Sequence, residues 1–494
     1  MLISSSSAAF RESDPYELLI QQLIFLESQP KFDLENRVSV LESSKNILTE
    51  LDTKLQAFDD ILDDFIDPLS HPFDEKSVTL NDTSAFTASA TDDAVFGSHT
   101  LQVSRLATVD TRLSDQHTSS ATSIVTALGT GTKSFSLSVA NPTDSDADNR
   151  ETINVSVTLA GGETDETVLE NIASAINDAM LAADDAGTID TANRAYASEV
   201  NETSDTARLS IRAGQTGYSN RINFETDTDG LLAQIGISNA SVVSGATGGQ
   251  VKTVGTSEDT SDLTSEIILD GLTLYRNTNQ VTDALEGVTL NLSQTNNTDI
   301  EFSVAPDSSG IEAEIEDFID KYNDILTEIR TRSTVNSETG VRGEFAGDTT
   351  FTSLRFNLRE DVITEVSSQG VNAPSQITDI GIEVNSNGTL KLDDVDQLIQ
   401  AIEEDPEAVR TLFAASDGIA QRLSDRLADY LGFGGLISDR QENLDTRSRT
   451  LNRRITRFDD ALERRENTLR EEFARLQESI ELLQGQSFSF AAFS

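Results

Sequence analysis

Leucine recurs every seven residues near both ends of this chain, and a sustained seven-residue apolar repeat admits few structures. At the N-terminal end the ladder is Leu34, Leu41, Leu48, Leu55 and Leu62. Val38, Leu51, Phe58 and Phe65 lie at the alternate position, three or four residues on. A period of 3.5 over about five heptads is a coiled-coil pattern, because it keeps one stripe of a helix facing a partner. Neither proline nor glycine falls between Lys31 and Asp67, although Lys45 occupies a seam position that an apolar side chain would suit better. Upstream, Asp14-Pro15-Tyr16-Glu17 supplies an N-cap, a proline for the first helical position and an acid three residues after the cap. The apolar face that follows, from Leu18 to Leu26, is interrupted at Pro30.

The C-terminal end repeats the design with Ile455, Leu462, Leu469, Leu476 and Leu483. Leu451, Phe458, Phe473 and Ile480 fill the second row, which Arg465 breaks. With no glycine between Gly435 and Gly485, residues 436–484 read as one helix, roughly 70 Å long at 1.5 Å per residue. A helix with one apolar stripe needs a partner. The two ends of the same chain are matched for this, so an antiparallel leg is expected, with self-association of each helix between subunits as the competing arrangement. Gly432, Gly434 and Gly435 predict a hinge just before the long helix. Residues 1–14 and 485–494 read as flexible, the latter carrying Phe488, Phe490 and Phe493 off any helical period.

Between the ends the period falls to two. SVTL (77–80), HTLQVSRLA (99–107), SFSLSVA (134–140), INVSVTLA (153–160), ARLSIRA (207–213) and GVTLNLS (287–293) alternate as half-buried strands do. One helix capped by Thr164 interrupts them, with Val168, Ile172, Ile176 and Met180 on its apolar face. The expected class is a multidomain α+β protein: a long antiparallel helical leg from both termini, a small helical junction domain and two β-rich head domains. The boundaries read as leg helices at 15–67, the first part of the junction and a β-rich head domain at 68–126, and an inserted α+β domain at 127–239. The second part of the β-rich domain follows at 240–305, then a helical junction with a hairpin at 306–430 and the C-terminal leg helix at 436–484.

Charge narrows function. The 494 residues include 85 acids and 36 bases, a formal charge of −49, which repels phosphate backbones and anionic lipid. Nucleic-acid binding is therefore not expected, and neither is membrane insertion, since no run of eighteen apolar residues occurs. The excess is uneven: residues 68–420 carry a net −39, residues 31–67 a net −6 and residues 421–485 a net −1. Acid-laced arginines of the C-terminal helix thus complement the acidic N-terminal one. Lysine is scarce, 8 against 28 arginines, a balance compatible with saline surroundings.

No catalytic constellation emerges. Cysteine is absent, and His71, His99 and His117 have neither zinc spacing nor a nucleophile elbow. Asp144, Asp146 and Asp148 open like a calcium loop, but the required glycine and glutamate are Asn149 and Val155. Asp59, Asp60, Asp63 and Asp64 share a helix, where a solvated acidic face is the better reading than a cation site. No enzyme, cofactor or metal is expected. The opening residues MLISSSSAAF lack the basic and apolar regions of a cleaved signal peptide.

Several segments together resemble the bacterial flagellar filament-cap family, FliD or hook-associated protein 2. They are DPYELLIQQLIFLESQP (14–30), FTASATDDAVFGSHTLQVSRLATVDT (86–111), IILDGLTLYRNTNQVTDALEGVTLNL (267–292), IDKYN (319–323), GEFAGDTTFTSLRFNLRE (343–360) and DIGIEVNSNGTLKLDDVDQLIQAIEEDPEAVRTLF (379–413). The chain departs from the family in its glycine-poor N-terminus, its loosely matching 127–239 region and its acidity. The resemblance implies an exported structural protein at the distal flagellar tip, a small ring of identical subunits beneath which flagellin folds and joins the filament. It further implies contact with hook–filament junction proteins and an export chaperone on the C-terminal region. Another axial protein, flagellin or a junction protein, is the alternative, and the variable head leaves an adhesin role open.

Overall fold

The computed structural model describes residues 15–69, 71–141, 149–335, 340 and 342–491. Asp14, the segment 1–14, the Asp144–Asp146–Asp148 run and Phe493 lie outside the described residues. The chain forms two compact units, a terminal unit ending at Asp74 and resuming at Ser308, and a middle unit of Glu75–Asp307.

The terminal unit opens with α1 (Pro15–Glu27) and α2 (Gln29–Ile66). Strands β1 (Lys76–Leu80), β2 (Phe86–Ala90) and β3 (Gly97–Arg105) begin the middle unit. Next come β4 (Val109–Leu113), β5 (His117–Thr118), α3 (Ser123–Leu128), β6 (Gly131–Ala140), β7 (Arg150–Leu159) and α4 (Asp165–Asp185). They are followed by β8 (Ala195–Thr203), β9 (Thr206–Thr216), β10 (Asn223–Asp227), α5 (Leu231–Gln234) and β11 (Gly249–Gln250). The middle unit closes with β12 (Ser265–Leu269), β13 (Leu272–Arg276), β14 (Gln280–Leu285), β15 (Val288–Leu292) and β16 (Ile300–Pro306). The terminal unit resumes with α6 (Ser308–Ser333), α7 (Thr349–Ile363), β17 (Ile382–Val384) and β18 (Leu390–Leu392). It ends with α8 (Val395–Glu404), α9 (Pro406–Ala414), α10 (Ile419–Ala428) and α11 (Leu436–Ala491).

The helix starts follow local chemistry. Thr164 accepts a hydrogen bond from the Thr167 amide ahead of α4, with Asp165 and Glu166 in the first turn, where acid complements the helix dipole. Asp405 caps α9 by accepting from the Ala408 amide, and Pro406 occupies the first turn, where its missing N–H costs nothing.

The middle unit has two lobes. One is a pair of antiparallel sheets, ordered β1-β16-β3-β12-β13 and β14-β15-β2, closing on buried Phe86, Leu101, Val103, Ile267, Leu290 and Phe302. The inserted lobe combines the β10-β6-β7 sheet with a second sheet of β11-β4-β9-β5, in which β8 also pairs with β9. β6 and β7 pair over ten residues, from Gly131↔Leu159 to Ala140↔Arg150. Apolar side chains of α4, including Val168, Ile172, Ile176 and Met180, share a core with Phe135, Leu137, Val155 and Leu209.

The inserted lobe is larger than expected. It starts at Val109, not 127, because β4 pairs with β9 (Arg112↔Ile211), and it extends to Gln250, not 239, because β11 pairs with β4. β4 escaped the alternation test because two of its inward side chains, Asp110 and Arg112, are charged. Arg112 is 1% exposed and donates from Nε to Asp110 Oδ1 at 2.8 Å, from Nη1 to Ser238 O at 3.0 Å and from Nη2 to Ile222 O at 2.8 Å. Such saturation is what lets a buried ion pair persist. The turn between β13 and β14 holds the segment that leads from β3 into the inserted lobe: Asn279 accepts from the Ala107 amide at 2.7 Å and donates to the Ala107 carbonyl at 3.0 Å. Asn277 Oδ1 accepts from the Ser219 amide at 3.1 Å.

In the terminal unit the leg and junction boundaries at 15–67 and 306–430 also shift. The inner part of α2 shares one continuous core with α6, α7, α9 and α10, containing Leu51, Leu55, Phe58, Leu62, Phe65, Phe318, Tyr322, Leu358, Phe413 and Leu423. Phe65 stacks on Phe318 with ring centroids 5.8 Å apart and meets Phe413 edge-on at 5.3 Å. Nor does the last helix stop at 484: α11 continues to Ala491, through Gly485. A single glycine costs a helix only about 1 kcal/mol, and no proline follows to end it.

Candidate functional site: the paired terminal helices

Helices α1 and α2 run antiparallel to α11 in a register their charged side chains make explicit. Lys31 Nζ lies 2.6 Å from Asp459, Lys45 Nζ 2.7 Å from Asp445, and Gln441 donates to Thr49 Oγ1 at 3.1 Å, each pair of numbers adding to 490. Farther out, Arg465 Nε meets Glu27 at 3.3 Å. Arg470 spans Glu17 with two bonds of 2.7 and 2.5 Å, and Tyr16 packs on Phe473 with centroids 5.5 Å apart. Lys45 and Arg465, the two residues that interrupt the apolar ladders, are thus both used in cross-helix ion pairs. A charged residue at one seam position is a known way to fix register at some cost in stability. The hydrogen bond from Lys31 to Asp459 raises the lysine pKa, and those from Arg470 to Glu466 and Glu17 raise that of the arginine.

The leucine ladders divide by position. Leu34 and Leu48 are buried and Leu41 is half-buried along the pair, while Ile455 and Leu462 are half-buried and Leu469 is buried. Leu476 and Leu483 are exposed at 47% and 65%. Leu55 and Leu62 do not pack as leg residues on the terminal helix. The 490 register would place Leu55 opposite Gly435, where α11 has yet to begin, so both leucines enter the shared core with α6 and α10.

Gly432, Gly434 and Gly435 form a tight corner between α10 and α11. Gly432 and Gly434 hold φ of +73° and +82°, conformations that suit glycine. A Cβ on Gly435 would approach Leu431 O to 2.3 Å. The Leu436 amide donates to Asp429 O at 3.1 Å and the Ile437 amide to Tyr430 O at 3.3 Å, fixing the departure of α11. A second lock follows one turn on, where Arg440 binds Asp348, the residue that caps α7 by accepting from the Thr350 amide. Burial raises the Asp348 carboxyl, but the bonds from Arg440 and Thr350 outweigh it and hold the group below its ordinary value. Sequence patterning offered no signal for this pair, since the partners are 92 residues apart.

The other candidates remain structural. His99 Nδ1 lies 2.8 Å from Asp270 Oδ2 on a strand end, His117 sits 3.9 Å from Asp165, and His71 is buried beside Asp74. Among the acids of α2, Asp59 is pushed up by burial and by the charge of Asp63. No group of three metal-ligating side chains occurs among the described residues, and no described helix is long and apolar enough to cross a membrane.

Two family models match the chain: "Flagellar hook-associated protein 2 N-terminus" over residues 15–110 and "Flagellar hook-associated protein 2 C-terminus" over residues 264–485. The unmatched stretch between them contains most of the inserted lobe. The A-type flagellar hook-associated protein 2 of Pseudomonas aeruginosa is 27% identical over 463 residues, covering 88% of this chain and 87% of that protein. The B-type protein of the same species is 25% identical over 503 residues, covering 95% of each. The polar flagellar hook-associated protein 2 of Vibrio parahaemolyticus is 29% identical over 226 residues, and that match spans 45% of this chain but only 33% of the relative's length. The D1-D2-D3 domains of the flagellar cap protein FliD from Escherichia coli share the fold, with a TM-score of 0.53 at 21% identity, over 81% of this chain and 99% of that one. These matches define a class, the structural proteins of the flagellum. The chain belongs to the flagellar hook-associated protein 2 family, FliD.

Proposed function

We propose that this chain is the structural cap at the distal end of the bacterial flagellar filament, promoting flagellin folding and incorporation. The observation that carries the reading is the antiparallel register of α2 and α11, which brings both ends of the chain into one helical pair, within segments that the family models match on either side of the inserted lobe. Such a role needs positioning and surface, and no covalent step. The relatives bear the hook-associated protein 2 name, which leaves the flagellin and junction-protein readings without support.

In this reading the helical pair is a coiled-coil leg, with Leu34, Leu41, Leu48, Ile455, Leu462 and Leu469 as its packing residues. Leu476 and Leu483, exposed in the single chain, are where the leg meets its neighbours. The chain assembles as a small ring of identical subunits, acts on flagellin, and sits outside the cell at the flagellum tip. Hook–filament junction proteins and an export chaperone on the C-terminal region are its further partners. The inserted lobe, which the family models leave unmatched, is free for an adhesive role.

The test is a strain lacking this chain. Secreted flagellin monomer without filaments is expected, restored to filaments by the wild-type chain and not by the Leu48→Asp/Leu469→Asp double variant. Normal filaments in the deletion strain would sink the assignment.

A further inference from the structure

One face of the helical pair carries a feature that the chain's composition makes unusual. A groove of about 530 Å³ lies between α2 and α11, lined by Arg37, Val40 and Leu41 on one side and Arg447, Thr450 and Leu451 on the other. No carboxylate lines it, in a chain with 85 of them. Val40 is 64% exposed, a β-branched apolar side chain standing open at the groove. Arg37 and Arg447 make no ion pair among the described residues, and both are exposed at the groove rim. Arg447 also borders a second cleft of about 470 Å³ reaching Leu48 and Leu444, but Glu344 and Asp439 line that one, so the carboxylate-free groove ends at Arg447.

We infer that this groove receives an amphipathic helix with acidic flanks, supplied by another protein. The space between two antiparallel helices offers ridges and grooves that a third helix fits, with apolar anchors at helical spacing over Val40, Leu41 and Leu451. Charge complementarity names the flanks: unpaired guanidiniums at the rim favour carboxylates and orient the incoming helix. A second copy of this chain is the poorer occupant. A two-fold axis through the groove would set Arg37 and Arg447 of one copy against the same arginines of the other.

The experiment uses the full chain and an 18-residue amidated peptide with leucine on one helical face and glutamate elsewhere, followed by fluorescence anisotropy in 0.3 M salt. A peptide with lysine replacing glutamate is the control, and the net charge of −49 would favour that control if the global field alone decided. Binding of the acidic peptide is expected, weakened at least tenfold by Val40→Asp and by Arg37→Glu/Arg447→Glu. All three side chains are exposed, and circular dichroism melts of the variants are expected to stay within a few degrees of wild type. No binding of the acidic peptide, or binding that neither variant alters, overturns the inference. So does sedimentation showing that Val40→Asp dissociates an oligomer that the acidic peptide does not compete with, because the occupant is then a second copy.

Discussion

The inner and outer parts of α2 carry the same heptad ladder and live in different surroundings. From Leu51 to Phe65 the apolar row is sealed: Leu51, Leu55, Phe58, Leu62 and Phe65 are all 0% exposed, enclosed by several elements of the terminal unit. From Leu34 to Lys45 the row has essentially one neighbour, α11, and leaves Leu41 half-buried and Val40 open. A repeat written in sequence therefore specifies a stripe, and the number of elements that close over it decides what each leucine contributes. The inner part is a domain core, while the outer part is a pair of helices whose register rests on charge as much as on packing.

The largest effect that would break this contrast is a core truncation. Phe58→Ala is expected to cost about 3–5 kcal/mol, and Leu41→Ala about 1 kcal/mol, because only the former leaves a closed cavity. Urea titrations of the two variants check this, and equal losses would show one environment along the whole helix.

Next comes the lock at the start of α11. The Asp348 carboxyl is held below its unfolded value of 3.8, so its contribution is fully present above that pH and is lost as pH falls through the lower folded value. Arg440→Met is expected to remove about 1 kcal/mol at pH 6 and to flatten the loss of stability between pH 4 and lower values. An unchanged acid profile in the variant would remove Arg440 from the account.

Smaller still is the seam pair. Lys45 and Asp445 are partly exposed, and a double-mutant cycle to alanine is expected to return about 0.2–1 kcal/mol of coupling that fades in high salt. Zero coupling would leave the register to the apolar residues alone. The smallest effect has the opposite sign. Burial and Asp63 raise the Asp59 pKa, so its ionised form opposes folding at neutral pH. Asp59→Asn is expected to raise stability by a few tenths of a kcal/mol at pH 7, seen as a higher melting temperature, and a fall would contradict that environment.

What was legible in the sequence follows from how far each force reaches. Helices and strands whose faces are uniformly apolar announced themselves, as in β7 and α4, because burial and period coincide over many residues. β4 did not, since its inward residues include an ion pair satisfied by carbonyls more than a hundred residues away. The partner of the terminal helix was readable only in outline. Charge balance favoured the pairing, but the point at which Leu55 leaves α11 for the domain core depends on where the Gly432–Gly435 corner falls, a tertiary fact. The arginines of the open groove were visible as residues. That they lack partners became visible only once every neighbour had been placed.

The 490 register also sets rules for how such a chain can change in length. A residue added to the outer part of α2 slides Lys31 past Asp459, and only a matched addition in α11 restores the pairing. Indels at the two ends are therefore coupled across more than four hundred positions. The inserted lobe obeys no such rule: its entry and exit strands, β4 and β11, are paired side by side, so the stretch between them can grow, shrink or be exchanged without altering the reach of either terminal helix. A lineage can vary the length of loops in its inserted lobe while its ends must mutate in step.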